Sequence, residues 1–167
     1  MMLIRDELPA DVDAITDVTV EAFKTLAISS KTEQFIIREL RAAHALAVSL
    51  VAEMGGRVVG HVAFSPIVIS DGSQGWYGLG PIAVLPEYQR NGVGKALVEA
   101  GLSRLHKLQA QGCCLVGDPR YYKRFGFRSI PGLIYEGIPP EYVLALPLGG
   151  SIPQGILTFH EAFQACH

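Results

Sequence analysis

Residues 85–102 read LPEYQRNGVGKALVEAGL, and their reading decides the fold. The segment before them, WYGLGPIAV (76–84), is apolar and reads as a strand. The segment after reads as a helix, with Val93, Leu97, Ala100, Gly101, Leu105 and Leu108 forming one inner face over residues 91–109. Between strand and helix stand three polar residues, Gln89, Arg90 and Asn91, and then Gly92 and Gly94. A strand, a tight glycine turn and a helix N-terminus together make an anion site. The first helical amides have no internal partner, and the helix dipole favours negative charge there. Gly92 and Gly94 remove side chains that would hold a phosphate away, while Arg90 and Lys95 add cationic charge. A Walker loop would need glycine at 89 and Ser or Thr at 96, where Gln89 and Ala96 stand. A dinucleotide fingerprint starting at Gly92 would need glycine at 97, which is Leu97.

Working outward, MLIRDEL (2–8) predicts a first strand. PADVDAITDVTVEAF (9–23) predicts a helix with Val12, Ile15, Val18 and Ala22 inward. TEQFIIRELRAA (32–43) predicts a second helix with Phe35, Ile36, Leu40 and Ala43 on one side. Three runs, 45–54, 57–69 and 75–85, predict an antiparallel meander, with a bulge or a break in pairing at Gly80-Pro81. Gly112 is expected to end the long helix, and CCLVG (113–117) reads as a short buried strand. DPRYYKRF (118–125) reads as a short helix with Asp118 as N-cap and Gly126 as its stop. GFRSI, YVLAL and GILTF are candidate strands in a tail rich in Pro and Gly. The order predicts a mixed α/β sheet with helices on its faces, in one domain spanning 1–167 whose motifs lie in 1–130.

Composition narrows the function. The chain has 167 residues, 49% of them hydrophobic and 18% charged, the balance of a core-rich globular protein. A net charge of −2 disfavours nucleic acid as a partner. The acidic start and the lack of a long apolar run predict neither a signal peptide nor a membrane span, hence a cytoplasmic protein. Cys113, Cys114 and Cys166 make no disulfide framework, and no metal site is expected from the Cys and His spacing.

The stretch around Gln89-x-x-Gly92-x-Gly94, preceded by an apolar strand and PEYQ, resembles the acetyl-CoA signature of the GNAT superfamily of N-acetyltransferases. Tyr122-Lys-Arg-Phe-Gly126-Phe127 matches a second family pattern, and GHVAFSPI with GDPRYYKRFGF resembles the YhbS-like bacterial group. The resemblance implies a splayed, mostly antiparallel central sheet flanked by helices. It implies acetyl-CoA as acyl donor, with the backbone of Ile82, Ala83 and Val84 pairing with the pantetheine arm. The amides of Arg90, Asn91, Gly92, Val93, Gly94 and Lys95 would take the pyrophosphate, beside Gln89, with Asp118 and Tyr121 across the cleft. Arg120, Lys123 and Arg124 are candidates for the 3′-phosphate, or simply a solvated basic face.

Acetyl transfer to an amine needs a neutral amine, a donor for the oxyanion and a proton for the thiolate. The resemblance implies Tyr122 as that acid; a phenol of pKa about 10 suits an alkyl thiol. Tyr122 also fits simple packing beside Phe125 and Phe127. The family's oxyanion donor falls on the backbone near Val84. The strand 76–84 holds no carboxylate or imidazole, so His61 on the preceding strand is the candidate base, against its alternative as a hydrogen-bonded core residue. Glu53 and a water chain are further options. Asp118 stands where the family often has Asn, and it suits the N-cap. The acceptor is a small-molecule or protein amine, and a homodimer through the tail strands is a family option. A CoA-binding sensor without turnover is the alternative function; a tRNA-acetylating toxin conflicts with the charge.

Overall fold

Strand pairing in the computed structural model, which describes residues 1–27 and 29–167, sets the cleft. Seven strands form the main sheet in the order β1-β2-β3-β5-β6-β9-β7. They are β1 (Met2–Asp6), β2 (Val48–Met54), β3 (Arg57–Pro66), β5 (Trp76–Val84), β6 (Gly112–Val116), β9 (Val143–Pro147) and β7 (Arg128–Ser129). A smaller sheet holds β4 (Val68–Ile69), β10 (Gly155–Thr158) and β8 (Leu133–Ile134), in the order β4-β10-β8. The helices are α1 (Val12–Phe23), α2 (Glu33–Ala42), α3 (Val93–Lys107) and α4 (Pro119–Tyr122).

The β2-β3-β5 meander is antiparallel, as expected. The run 57–69 is not one strand: it breaks after Pro66, and Val68–Ile69 leaves for the smaller sheet. Between β5 and β6 the pairing is parallel and short. Trp76, Tyr77 and Gly78 pair with Gly112, Cys113 and Cys114. From Leu79 to Val84, β5 pairs with β3 alone among the described residues, while β6 goes on to pair with β9 through Val116. The register with β3 shifts just there, and Gly80-Pro81 is cis. The sheet therefore divides, leaving one edge of β5 with backbone groups to offer.

Helix α3 fixes the position of that opening. Val93, Leu97, Val98, Gly101 and Leu105 are buried, and each large apolar side chain contributes roughly 1.5–3 kcal/mol by leaving water. Two details differ from the expected inner face. Val98 joins it, and Leu108 leaves it, 50% exposed at the C-cap where the helical path ends. The stop is Gln109 in the left-handed region (φ 59°), not Gly112. Gly112 instead opens β6 under the Trp76 ring, where a Cβ would stand 2.3 Å from ring carbons. On α2 the buried residues are Ile36, Ile37 and Leu40; Ile37 takes the place expected for Ala43, which is exposed. Cys113 and Cys114 are both buried and face opposite cores, as neighbours on a strand must.

The tail is woven into both sheets. β9 lies between β6 and β7, and β10 bridges β4 and β8. Strand β8 went unrecognised in the sequence, because two residues in a Pro/Gly-rich run carry no period to read.

Candidate active site

The loop between β5 and α3 reaches the helix through two left-handed residues, Arg90 (φ 65°) and Gly92 (φ 81°). Gly92 is the N-cap and has no side chain to cap with. The first intrahelical bond runs from Ala96 N to Gly92 O at 3.0 Å, so the amides of Val93, Gly94 and Lys95 precede the helix's own ladder. The two glycines serve different needs. At Gly92 nothing lies within 4 Å of a would-be Cβ, and the positive φ is what demands glycine. At Gly94 a Cβ would point at the Tyr121 hydroxyl (3.3 Å) and Val84 Cγ2 (4.0 Å), into the gap between helix and strand. The Gln89 side chain donates to Val84 O at 3.1 Å and pins the loop to the end of β5.

That gap is a cavity of about 500 Å³. Ile82, Val84, Gln89, Arg90, Gly92, Gly94, Lys95, Tyr121, Tyr122 and Arg124 line it. Its cations are Arg90, Lys95 and Arg124; Lys95 also meets Glu99 at 3.3 Å, and Arg124 stacks on Tyr121 at 4.8 Å. Of the predicted donor residues, Ile82, Val84, Gln89, Arg90, Gly92, Gly94, Lys95 and Tyr121 converge here. Ala83 turns its side chain into the core, and Val93 is buried there too, so both offer only backbone. Asn91 is exposed on the loop and outside the lining.

Asp118 lies outside the cavity as well. It caps α4, accepting from Arg120 N at 2.9 Å and from the Arg120 guanidinium at 3.2 Å. The guanidinium, then the backbone bond, hold its carboxyl below the usual range. Arg120 is thereby engaged with Asp118, and Arg124 alone of the three basic candidates lines the cavity.

A second cavity of about 480 Å³ opens on the other side of Tyr122, along the divided part of β5 from Leu79 to Ile82. Tyr122 and Ile82 are the two residues that line both cavities. The Tyr122 ring is held edge-on by Tyr121 (4.9 Å) and Phe127 (6.0 Å). Gly117 lets it lie close, since a Cβ there would stand 2.7 Å from Tyr122 Cε2. Burial, with Tyr121 and Cys113 adding, pushes the Tyr122 phenol up to about 12.

His61 goes elsewhere. It is fully buried on the face of β3 turned toward α1 and α2, opposite Val51, which packs on Ile15 and Ile37. Its Nε2 lies 2.8 Å from Ser49 Oγ and 3.8 Å from Glu7, whose carboxylate is clamped by Arg41 at 2.9 Å. Burial lowers its pKa to about 4, against the pull of Glu7. It lines neither cavity, so the geometry does not bring the expected base to the cleft. Glu53 is also outside, paired with Arg5 at 3.3 Å. The carboxylate the second cavity does contain is Glu33, the first residue of α2. Nothing in the sequence singles it out, since an acid in a helix's first turn is common. Among the described residues no group of three His, Cys, Asp or Glu side chains is placed to hold a metal ion, and no helix is long and apolar enough to cross a membrane.

A sheet that divides at a helix N-terminus, with a tyrosine between two cavities, defines the acyl-CoA-using acetyltransferase architecture. A family model described as an acetyltransferase (GNAT) domain matches residues 45–129. The chain belongs to that family. It is 35% identical over 127 residues to the uncharacterized N-acetyltransferase YhbS of Escherichia coli K12, covering 75% of this chain and 73% of that one. Among solved structures, a GNAT family acetyltransferase from Brucella melitensis in complex with acetyl-CoA superposes with a TM-score of 0.87 at 45% identity, over 98% of both chains. YhbS from Escherichia coli in complex with CoA gives 0.87 at 29% identity, over 98% of this chain and 92% of that one.

Proposed function

We propose that this chain is an acetyl-CoA-dependent N-acetyltransferase that acts by direct transfer to a primary amine, with Tyr122 as the acid. Acetyl-CoA supplies an activated thioester, and the residues of the first cavity suit its parts. The amides of Val93, Gly94 and Lys95, with Arg90 and Arg124, suit a diphosphate. The unpaired edge of β5 from Leu79 to Val84 suits an extended amide-bearing arm, added like a further strand. A cleft with a bare helix end, a Cβ-free approach at Gly94 and a free strand edge fits this donor on three independent counts.

One observation carries the assignment of the acid: Tyr122 is shared by the donor cavity and the cavity beyond it. The amine loses a proton to water and its nitrogen attacks the thioester carbonyl. The C–N bond forms, the C–S bond breaks, and the thiolate takes the Tyr122 proton. The nitrogen then sheds its second proton, and the phenol is restored through solvent. A phenol raised to about 12 remains protonated until this moment. The backbone near Val84 is the candidate donor to the oxyanion. No enzymic base is assigned; water accepts the amine proton. A cytoplasmic setting suits this use of acetyl-CoA and a chain with three free thiols.

Thiol release from acetyl-CoA, followed with a thiol reagent across a panel of amines, tests the reading. Tyr122→Phe should lower kcat about a hundredfold or more and leave CoA affinity unchanged. Unaltered kcat in that variant would remove Tyr122 from the chemistry.

A further inference from the structure

The cavity beyond Tyr122 has a composition that sorts amines. Three rings from the tail line it in sequence: Tyr135 packs edge-on against Phe159 at 5.1 Å, and Phe159 tilts over Phe163 at 5.1 Å. All three are only half-buried, so part of each ring remains to meet a ligand. Phe159 is held in place over Gly78, where a Cβ would stand 2.7 Å from its ring. Phe23 and Leu26 continue the apolar wall from the end of α1. Against this wall stands one charged side chain among the described lining residues, Glu33. Ser29 Oγ lies 2.8 and 2.7 Å from its two oxygens and shares its one proton between them, which orients the carboxylate and leaves lone pairs for another donor.

We infer that the acceptor is a primary amine carried on an aromatic or bulky apolar body, with Glu33 recognising its ammonium form and the Tyr135–Phe159–Phe163 rings its body. The inference rests on the transferase reading and adds the substrate class. A single carboxylate matches a single cation. Polyamines would bring further charges to an apolar wall that cannot solvate them, and carboxylate-bearing amines would meet Glu33 as a like charge. A longer acyl chain would also fill apolar space, but it has no use for Glu33. The ammonium must give its proton to water before attack, so Glu33 acts on recognition and the chemistry is unchanged.

The test uses the CoA-loaded protein and three amines: 2-phenylethylamine, ethanolamine and spermidine. Binding is read by calorimetry and turnover by thiol release. 2-Phenylethylamine should exceed both others in kcat/KM by about tenfold to a hundredfold, the range expected for burying one aromatic body. Phe159→Ala should bring its advantage over ethanolamine to within about threefold without moving the KM for acetyl-CoA. Glu33→Gln should raise the amine KM about tenfold with little change in kcat. Leu26 is 43% exposed, so Leu26→Lys retains the fold even if Phe159→Ala does not, and its like charge should also raise the amine KM about tenfold. Better binding or turnover of spermidine or ethanolamine would overturn the inference while keeping the transferase. So would an unchanged preference in Phe159→Ala, or an unchanged amine KM in Leu26→Lys. Tight 2-phenylethylamine binding without thiol release from acetyl-CoA would keep the cavity assignment and overturn the transferase reading.

Discussion

Helix α3 contains two glycines whose replacement by alanine should act in opposite directions, and the contrast isolates the donor site. In a helix interior, Gly→Ala adds about 1 kcal/mol of stability by reducing chain entropy lost on folding. At Gly101 the new methyl would stand 2.1 and 2.3 Å from Cε1 and Cζ of Phe64, which is fully buried. Such overpacking costs about 1–3 kcal/mol, and contacts this short put it at the upper end, so Gly101→Ala should lose about 2 kcal/mol net. At Gly94 the nearest atom is the Tyr121 hydroxyl at 3.3 Å, the far end of a half-buried side chain that can yield by a few tenths of an ångström. Gly94→Ala should therefore fold at least as stably as the wild type, gaining up to about 1 kcal/mol. Yet its methyl enters the space between the α3 amides and Val84, which is the approach proposed for the diphosphate. Losing one amide–phosphate hydrogen bond, worth about 1.5–3 kcal/mol, weakens CoA binding by about tenfold to a hundredfold. Urea unfolding of the ligand-free proteins gives the stabilities, free of any contribution from bound CoA. Calorimetric titration with CoA gives the affinities. A Gly94→Ala protein of undiminished stability that binds CoA within about twofold of wild type would refute the loop assignment.

Other consequences can be checked with the same protein. Gly117→Ala, whose methyl would displace the Tyr122 ring, should lower kcat about tenfold or more while CoA affinity holds, as measured by thiol release and calorimetry. With water as the proton acceptor and Tyr122 raised to about 12, kcat/KM should climb with pH toward the acceptor's own pKa. A descending limb between about pH 8 and 10 would argue against a buried neutral phenol as the acid. His61 is neutral in the folded state down to about pH 4, whereas the unfolded chain takes up that proton near 6.5. The unfolded state therefore binds more protons between these values, and stability falls as pH drops from 6.5 toward 4, by about 3 kcal/mol in all. Urea midpoints across that window should lose most of this slope in His61→Gln.

The cavity proposed for the donor was legible because the residues that shape it are local. Gln89, Gly92 and Gly94 sit in one turn, and Tyr122 lies in a short motif ended by Gly126, which adopts φ 96° as a helix stop should. Backbone conformation, which the sequence encodes through glycine and proline, does most of the work there. The reason glycine is needed differs between the two positions, and only the folded backbone separates a left-handed N-cap from a Cβ-free approach. The cavity proposed for the acceptor was not legible because it is assembled from distant segments. Glu33 comes from α2, the three rings from the tail, and Leu79 to Ile82 from β5. No period links them, and the tail's short strands, β8 and β10, hold together by pairing across sequence rather than by their own pattern. The role of His61 stayed open between base and core residue for a related reason. Alternation on β3 assigned its face correctly, with Ala63 and Ser65, but which face looks into the cleft depends on where α1 and α2 pack.

The most direct test of the central claim is a crystal structure of this protein grown with acetyl-CoA. The account predicts diphosphate oxygens within hydrogen-bond reach of the Val93–Lys95 amides, the pantetheine arm along the free edge of β5, and the sulfur beside the Tyr122 hydroxyl. A sulfur that lies away from Tyr122, or a diphosphate bound off the α3 end, would contradict it.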